Sequence, residues 1–129
     1  MGAVTLDTGA LVALERKKPR ADGLLRASRE RGVALFTITP ALTEWWRGRT
    51  DLREAIARVV RVVPLPVHVA RSAGEALGTL RGRGAGLAVD VMVVAFAAAE
   101  GGQVVYTSDV ADLERIAAAC FPAVKVLGI

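Results

Sequence analysis

Cysteine and histidine each occur once in the 129 residues, and aromatic side chains make up only 5%. A single cysteine, Cys120, cannot close an internal disulfide, as suits a reducing cytoplasm. It reads as an apolar filler on the last helix. With His68 the lone histidine and Cys120 far from it in the chain, no His/Cys set has the spacing of zinc ligands. His68 follows Pro66 at a helix start and reads as a surface or capping residue. Long hydrophobic runs are missing too. The mean hydropathy of +0.40 is high, yet the longest strongly apolar stretch, Val91 to Ala99, falls short of the roughly 18 to 20 residues of a membrane span. It is expected to form a buried helix, with no membrane association. A strand-like run begins at Ala3, where a targeting peptide would need a basic start and a longer apolar region, so none is expected. Repeats, low-complexity tracts and linkers are absent, which predicts one domain over residues 1–129. The glycine-rich Arg81–Gly86 segment lacks the Gly-Lys-Ser/Thr ending of a P-loop and the spacing of a dinucleotide fingerprint; it reads as a loop.

What is present is a globular composition, 53% hydrophobic and 23% charged. Positive charge exceeds negative by 17 to 13, and nearly all of it is arginine, whose planar fork suits phosphate. That balance favours a nucleic-acid partner. Short apolar runs alternate with helical patterns. Strands are expected at Val4–Leu6, Val33–Phe36, Arg61–Val63, Gln103–Tyr106 and Val124–Leu127. Helices are expected at Gly9–Arg16, Ala21–Arg31, from Thr39 through Trp46, at Leu52–Val60, Val67–Leu80, Ala88–Glu100 and Val110–Cys120. Thr39-Pro40 has the form of an N-cap followed by proline at the first helical position. Connections too long for hairpins imply an α/β fold, a mainly parallel sheet of four to five strands flanked by helices on both faces.

In such a sheet ligands bind beyond the carboxyl ends of the strands. Asp7 follows the first strand and Asp109 the fourth, each before a helix; Glu44 is placed early in its helix, and Asp90 in the first turn of the apolar one. These four carboxylates are expected to converge on one edge. A simpler alternative stands beside this: Asp7 and Asp109 as helix caps, Asp112 as a complement to a helix dipole, Glu75 and Glu114 as solvated face residues. Asp90 resists that explanation, because an unpaired charge in apolar surroundings is costly. Two carboxylates about 6 Å apart repel by roughly 3 kcal/mol at an effective dielectric near 20. Four together approach the ~5–15 kcal/mol stability of a whole domain. Such a cluster takes up protons or holds a cation, and oxygen-only donors suit Mg²⁺ or Mn²⁺.

At these residues the sequence resembles the PIN-domain family, in particular the VapC-like toxins of bacterial type II toxin–antitoxin pairs. The resemblance lies in Leu6–Glu15 (L-D-T-G-A-L-V-A-L-E), Ala41–Arg47 (A-L-T-E-W-W-R), Ala88–Ala95 (A-V-D-V-M-V-V-A) and Val105–Leu113 (V-Y-T-S-D-V-A-D-L), in order and spread over nearly the whole chain. It implies a PIN-like three-layer sandwich and a Mg²⁺-dependent endoribonuclease, Mn²⁺ being an alternative ion. Asp7, Glu44, Asp90 and Asp109 would be the catalytic and metal-binding residues, Asp112 a fifth metal ligand, and Thr8 or Ser108 a hydrogen-bonding aid. Gly9 departs from the serine many relatives carry. The resemblance also implies a homodimer, silenced in the cytoplasm by a cognate antitoxin. Arg47 and Arg49, closing the Glu44 helix, and Arg81 and Arg83, in the glycine-rich loop, are candidates for gripping RNA phosphates. Arg16-Lys17-Lys18 is expected to lie away from the acids. One of the adjacent Trp45 and Trp46 is expected at a surface, and Gly74 and Gly78 to permit close helix approach. The competing functions are a catalytically silent PIN-like module that binds RNA or protein, and a phosphotransfer receiver domain. The latter lacks its early acidic pair and its late lysine.

Overall fold

The computed structural model describes residues 2–80 and 87–129. The loop expected at Arg81–Gly86, with the candidates Arg81 and Arg83, lies outside the described residues. The elements run β1 (Ala3–Leu6), α1 (Thr8–Glu15), α2 (Pro19–Arg31), β2 (Ala34–Ile38), α3 (Thr39–Trp46), α4 (Asp51–Val59), β3 (Arg61–Val63), α5 (Val67–Thr79), α6 (Ala88–Ala99), β4 (Val104–Thr107), α7 (Val110–Cys120) and β5 (Lys125–Gly128). The five strands form one parallel sheet in the order β3-β2-β1-β4-β5. The chain moves outward from β1 in one direction through β2 and β3, then returns to build β4 and β5 on the other side. Right-handed crossovers therefore put α1–α4 on one face and α5–α7 on the other. The order reverses between β1 and β4, so the crevice beyond their carboxyl ends is the natural ligand site of this fold.

The core fills both sides of the sheet. Leu6, Leu35, Ile38 and Val105 are buried within it, and α6 buries Val91 and every residue from Val93 to Ala97. Phe96 meets Phe36 edge-on, ring centroids 6.1 Å apart. The expected buried helix is thus a central element packed on β1, β2 and β4, and no helix among the described residues is long and apolar enough to cross a membrane.

Local chemistry moved some element ends. Thr39 does not cap α3: Ile38 occupies the cap position, and Thr39 Oγ1 accepts from Leu65 N at 3.4 Å. The strand β2 runs straight into the helix, so its last extended residue, Ile38, takes the cap position and has no polar side chain to offer. The same strand reaches Ile38 rather than Phe36 because Thr37, fully buried, donates to Leu6 O at 2.8 Å. Gly74 and Gly78 are exposed with open space over their Cα atoms, so they mediate no close helix approach among the described residues. At Gly102 glycine is required: φ is +86° and an added Cβ would lie 2.1 Å from Ala3 O. Gly102→Ala is expected to lower stability by about 1–3 kcal/mol, read from the midpoint of urea unfolding.

Candidate active site

Asp7 leaves β1 at the point where the sheet order reverses. It caps α1, its Oδ1 accepting from Ala10 N at 2.8 Å, and only 5% of it is exposed. Burial raises its pKa; the Thr107 hydroxyl and Ala10 N–H counter that, and the charges of Asp109 and Glu44 add to the rise. Asp109 stands in the equivalent place after β4. It caps α7, its Oδ1 accepting from Asp112 N at 3.3 Å, while its own N–H donates to Thr107 Oγ1 at 2.9 Å. Glu44 lies in the last turn of α3, not early in it, and is reached from α1 by Thr8, whose hydroxyl donates to Glu44 Oε1 at 2.6 Å.

Asp90, half-buried in the first turn of α6, is the hub. Its carboxyl is pushed up to about 6, first by burial and then by the charges of Asp7, Glu44, Asp109 and Asp112. Segments far apart in sequence thus bring their acids within electrostatic reach of one group.

The capping alternative is also present in the same structure, since Asp7 and Asp109 do tie off their own helices. The carboxylates are turned toward these local donors. As they stand, no group of three or more His, Cys, Asp or Glu side chains is arranged to hold a metal ion among the described residues. The donor chemistry nevertheless fits a hard divalent cation. All the groups are carboxylates, and none of Asp7, Glu44, Asp90 and Asp109 pairs with a lysine or arginine among the described residues. Their mutual repulsion also raises Asp7 and Asp90. Asp112 differs, being engaged by Arg115 Nη2 at 2.5 Å.

The other candidates are distributed as follows. Arg47 follows α3 in a left-handed conformation at φ 39°, its Nε donating to the backbone oxygen of Glu44 at 3.0 Å. Arg49 turns to Glu54 at 3.6 Å on the exposed side of α4. Trp45 is buried and Trp46 half-buried, packed edge-on with centroids 5.9 Å apart. His68 is exposed and faces Glu100 at 3.1 Å. Ser108 lies against Gly9: a Cβ added at Gly9 would fall 2.1 Å from Ser108 Oγ, so glycine there lets the first turn of α1 approach the β4–α7 connection. Cys120 is half-buried. A hollow of about 780 Å³ between α2 and strands β1, β4 and β5 contains none of the acids.

Sequence reasoning missed Thr107. Its side chain is fully buried between Asp7 and Asp109 and serves both. A polar residue ending an otherwise apolar strand two positions before an aspartate was the available signal. Thr107→Val is expected to cost about 1–2 kcal/mol of stability and to raise the Asp7 pKa further, measurable by urea unfolding and carboxyl NMR titration.

The fold is a doubly wound parallel α/β domain with Asp7 and Asp109 at the ends of the two strands where its order reverses. The PIN domain family model matches residues 4–119, and the chain belongs to that family. Among solved structures it is similar to VapBC2 from Rickettsia felis bound to a DNA fragment from their promoter, with a TM-score of 0.76, 14% identity and 98% of each chain covered. It is also similar to Mycobacterium tuberculosis VapC20, a toxin that cleaves the sarcin–ricin loop, with a TM-score of 0.61 and 22% identity over 88% of this chain and 94% of that one. At these identities the likeness shows the fold. No curated protein matches the chain in sequence.

Proposed function

We propose that this protein is a metal-dependent endoribonuclease, the toxin of a type II toxin–antitoxin pair. The observation that carries the reading is Asp90: a half-buried carboxyl raised by burial and by the charges of Asp7, Glu44, Asp109 and Asp112, with Asp7 and Asp109 at the ends of the strands where the sheet order reverses. Membership of the PIN family supports it, as does the likeness to an RNA-cleaving toxin and to a toxin–antitoxin complex. Asp7, Glu44, Asp90 and Asp109 would hold Mg²⁺ or Mn²⁺. Such an ion would supply Lewis-acid activation of a water and charge neutralisation at the attacked phosphate.

The chain's own residues prepare the site. Thr8 holds the Glu44 carboxylate against α1. Thr107 steadies Asp7 and the backbone of Asp109 together. Apolar α6 keeps Asp90 partly out of water, so its charge acts through a lower dielectric than at an open surface. The protein works as one domain in the cytoplasm, silenced by a cognate antitoxin, and as a homodimer. Exposed Leu52 and Val59, seven apart on α4, offer apolar surface for such association. Light scattering on the purified protein tests the dimer.

The function is tested with single-stranded RNA and purified protein. Cleavage is expected with Mg²⁺ or Mn²⁺ and is expected to disappear in EDTA. RNA binding without cleavage at any metal concentration would make the protein a silent module instead.

A further inference from the structure

We infer that the cleft between α1 and the α3–α4 turn is a phosphate subsite for the RNA strand, in which Arg16 and Arg47 hold a phosphate neighbouring the one that is cut. This rests on the nuclease reading and extends it to residues outside the acid cluster. The cleft has a volume of about 330 Å³ and is lined at once by Thr8 and Glu44 of the candidate site and by Arg16 and Arg47. Arg16 stands at the opposite end of α1 from Asp7, as expected, but in a cleft that also reaches Glu44. The length of α1 between Thr8 and Arg16, about 12 Å at 1.5 Å per residue, gives room for a strand to pass from one to the other.

The third arginine of this cleft is already committed. Arg53 grips Glu15 through Nε at 3.3 Å and Nη2 at 3.2 Å, and its Nη1 donates to Trp46 O and Gly48 O, each at 2.8 Å. Trp45 Nε1 adds a bond to the same Glu15 carboxylate at 3.0 Å. This network makes a rigid wall and cancels the Glu15 charge, which would otherwise repel a phosphate. Two guanidinium groups remain. Arg16 is exposed, and its side chain has no hydrogen-bond or ion-pair partner among the described residues. Arg47 keeps its left-handed backbone, which is unfavourable for a side-chain-bearing residue, and is anchored by Nε to Glu44 O. Its terminal nitrogens have no partner among the described residues. A planar, always-charged fork fixed one helical turn from a catalytic carboxylate is suited to a phosphodiester oxygen pair. Arg49, paired with Glu54, is not part of this subsite.

The test is steady-state cleavage of a single-stranded RNA oligonucleotide with Mg²⁺ over a range of salt concentrations. Arg16→Ala and Arg47→Ala are each expected to raise KM about tenfold and leave kcat within about twofold. Each should also make the salt dependence of affinity shallower by about 0.7 in the log–log slope, the value for one single-strand phosphate contact. Arg16→Lys should restore the slope, and Arg29→Ala, exposed on α2 outside the cleft, should change neither quantity. RNA binding to cleavage-deficient Asp90→Asn protein should show the same slopes. If the wild type cuts RNA and Arg16→Ala retains its KM and salt slope, the subsite is overturned while the nuclease reading stands. A wild type that cuts no RNA under any metal condition overturns both.

Discussion

Asp90→Asn is expected to abolish RNA cleavage and, without metal, to make the protein more stable. The carboxyl is half-buried among like charges and lies at about 6 rather than 3.8. Between those pH values the folded state holds a proton that the unfolded chain has released, so this group's contribution to stability falls as pH rises through the window. Asparagine cannot ionise and avoids that loss. Its melting temperature should therefore exceed that of the wild type at pH 7.5 in EDTA, by about 3–6 °C for each ~1 kcal/mol relieved in a domain of this size. The gap should close toward pH 4, where Asp90 of the wild type is protonated. Activity should drop by at least ~100-fold, since even outer-shell partners of a metal site are commonly worth about 10–100-fold. Melting curves of both proteins at the two pH values, with a cleavage assay alongside, check the pair of effects. A group that only supported the fold would lose stability when changed, not gain it.

The second large effect concerns protons and metal together. At low Mg²⁺, kcat/KM is expected to decline below a pH of about 6 and to approach a tenfold fall per unit, because Asp90 must ionise before it can act as a ligand. Raising Mg²⁺ should move the midpoint to lower pH, as cation and proton compete for the same oxygens. Chelation should leave under about 1% of the activity. The same linkage acts on stability: an ion present at about 100 times its dissociation constant adds roughly 2.7 kcal/mol. Mg²⁺ should thus raise the melting temperature of the wild type far more than that of Asp90→Asn. A pH profile indifferent to Mg²⁺ concentration would mean that the titrating group is not a ligand.

Much of the fold was legible because its signals are local. Each strand is a short apolar run closed by a turn residue or proline, and α6 is apolar over nearly its whole length. Asp7 and Asp109 were legible for the same reason, each standing directly between a strand and a helix. What escaped depends on contacts between distant segments. Thr8 and Glu44 are 36 residues apart, and their hydrogen bond shows only in three dimensions. Glu44 was placed too early because α3 is only eight residues long and ends where Arg47 turns left-handed. Arg16 was rightly placed at the far end of α1, but the cleft it shares with Glu44 depends on how α1 and α3 pack and left no mark in the sequence. The sequence left the side-chain directions open between a cation site and helix caps, and Asp7 and Asp109 do use an oxygen each as a cap.

The most direct test of convergence is calorimetric titration of Mg²⁺ or Mn²⁺ into the metal-free protein near pH 6, beside Asp90→Asn and Glu44→Gln. Saturable binding with proton release is expected for the wild type, and loss of most of the binding in either variant. Wild-type protein that takes up no divalent ion, or variants that bind it as well as the wild type does, would contradict the claim that these distant acids act as one cation site.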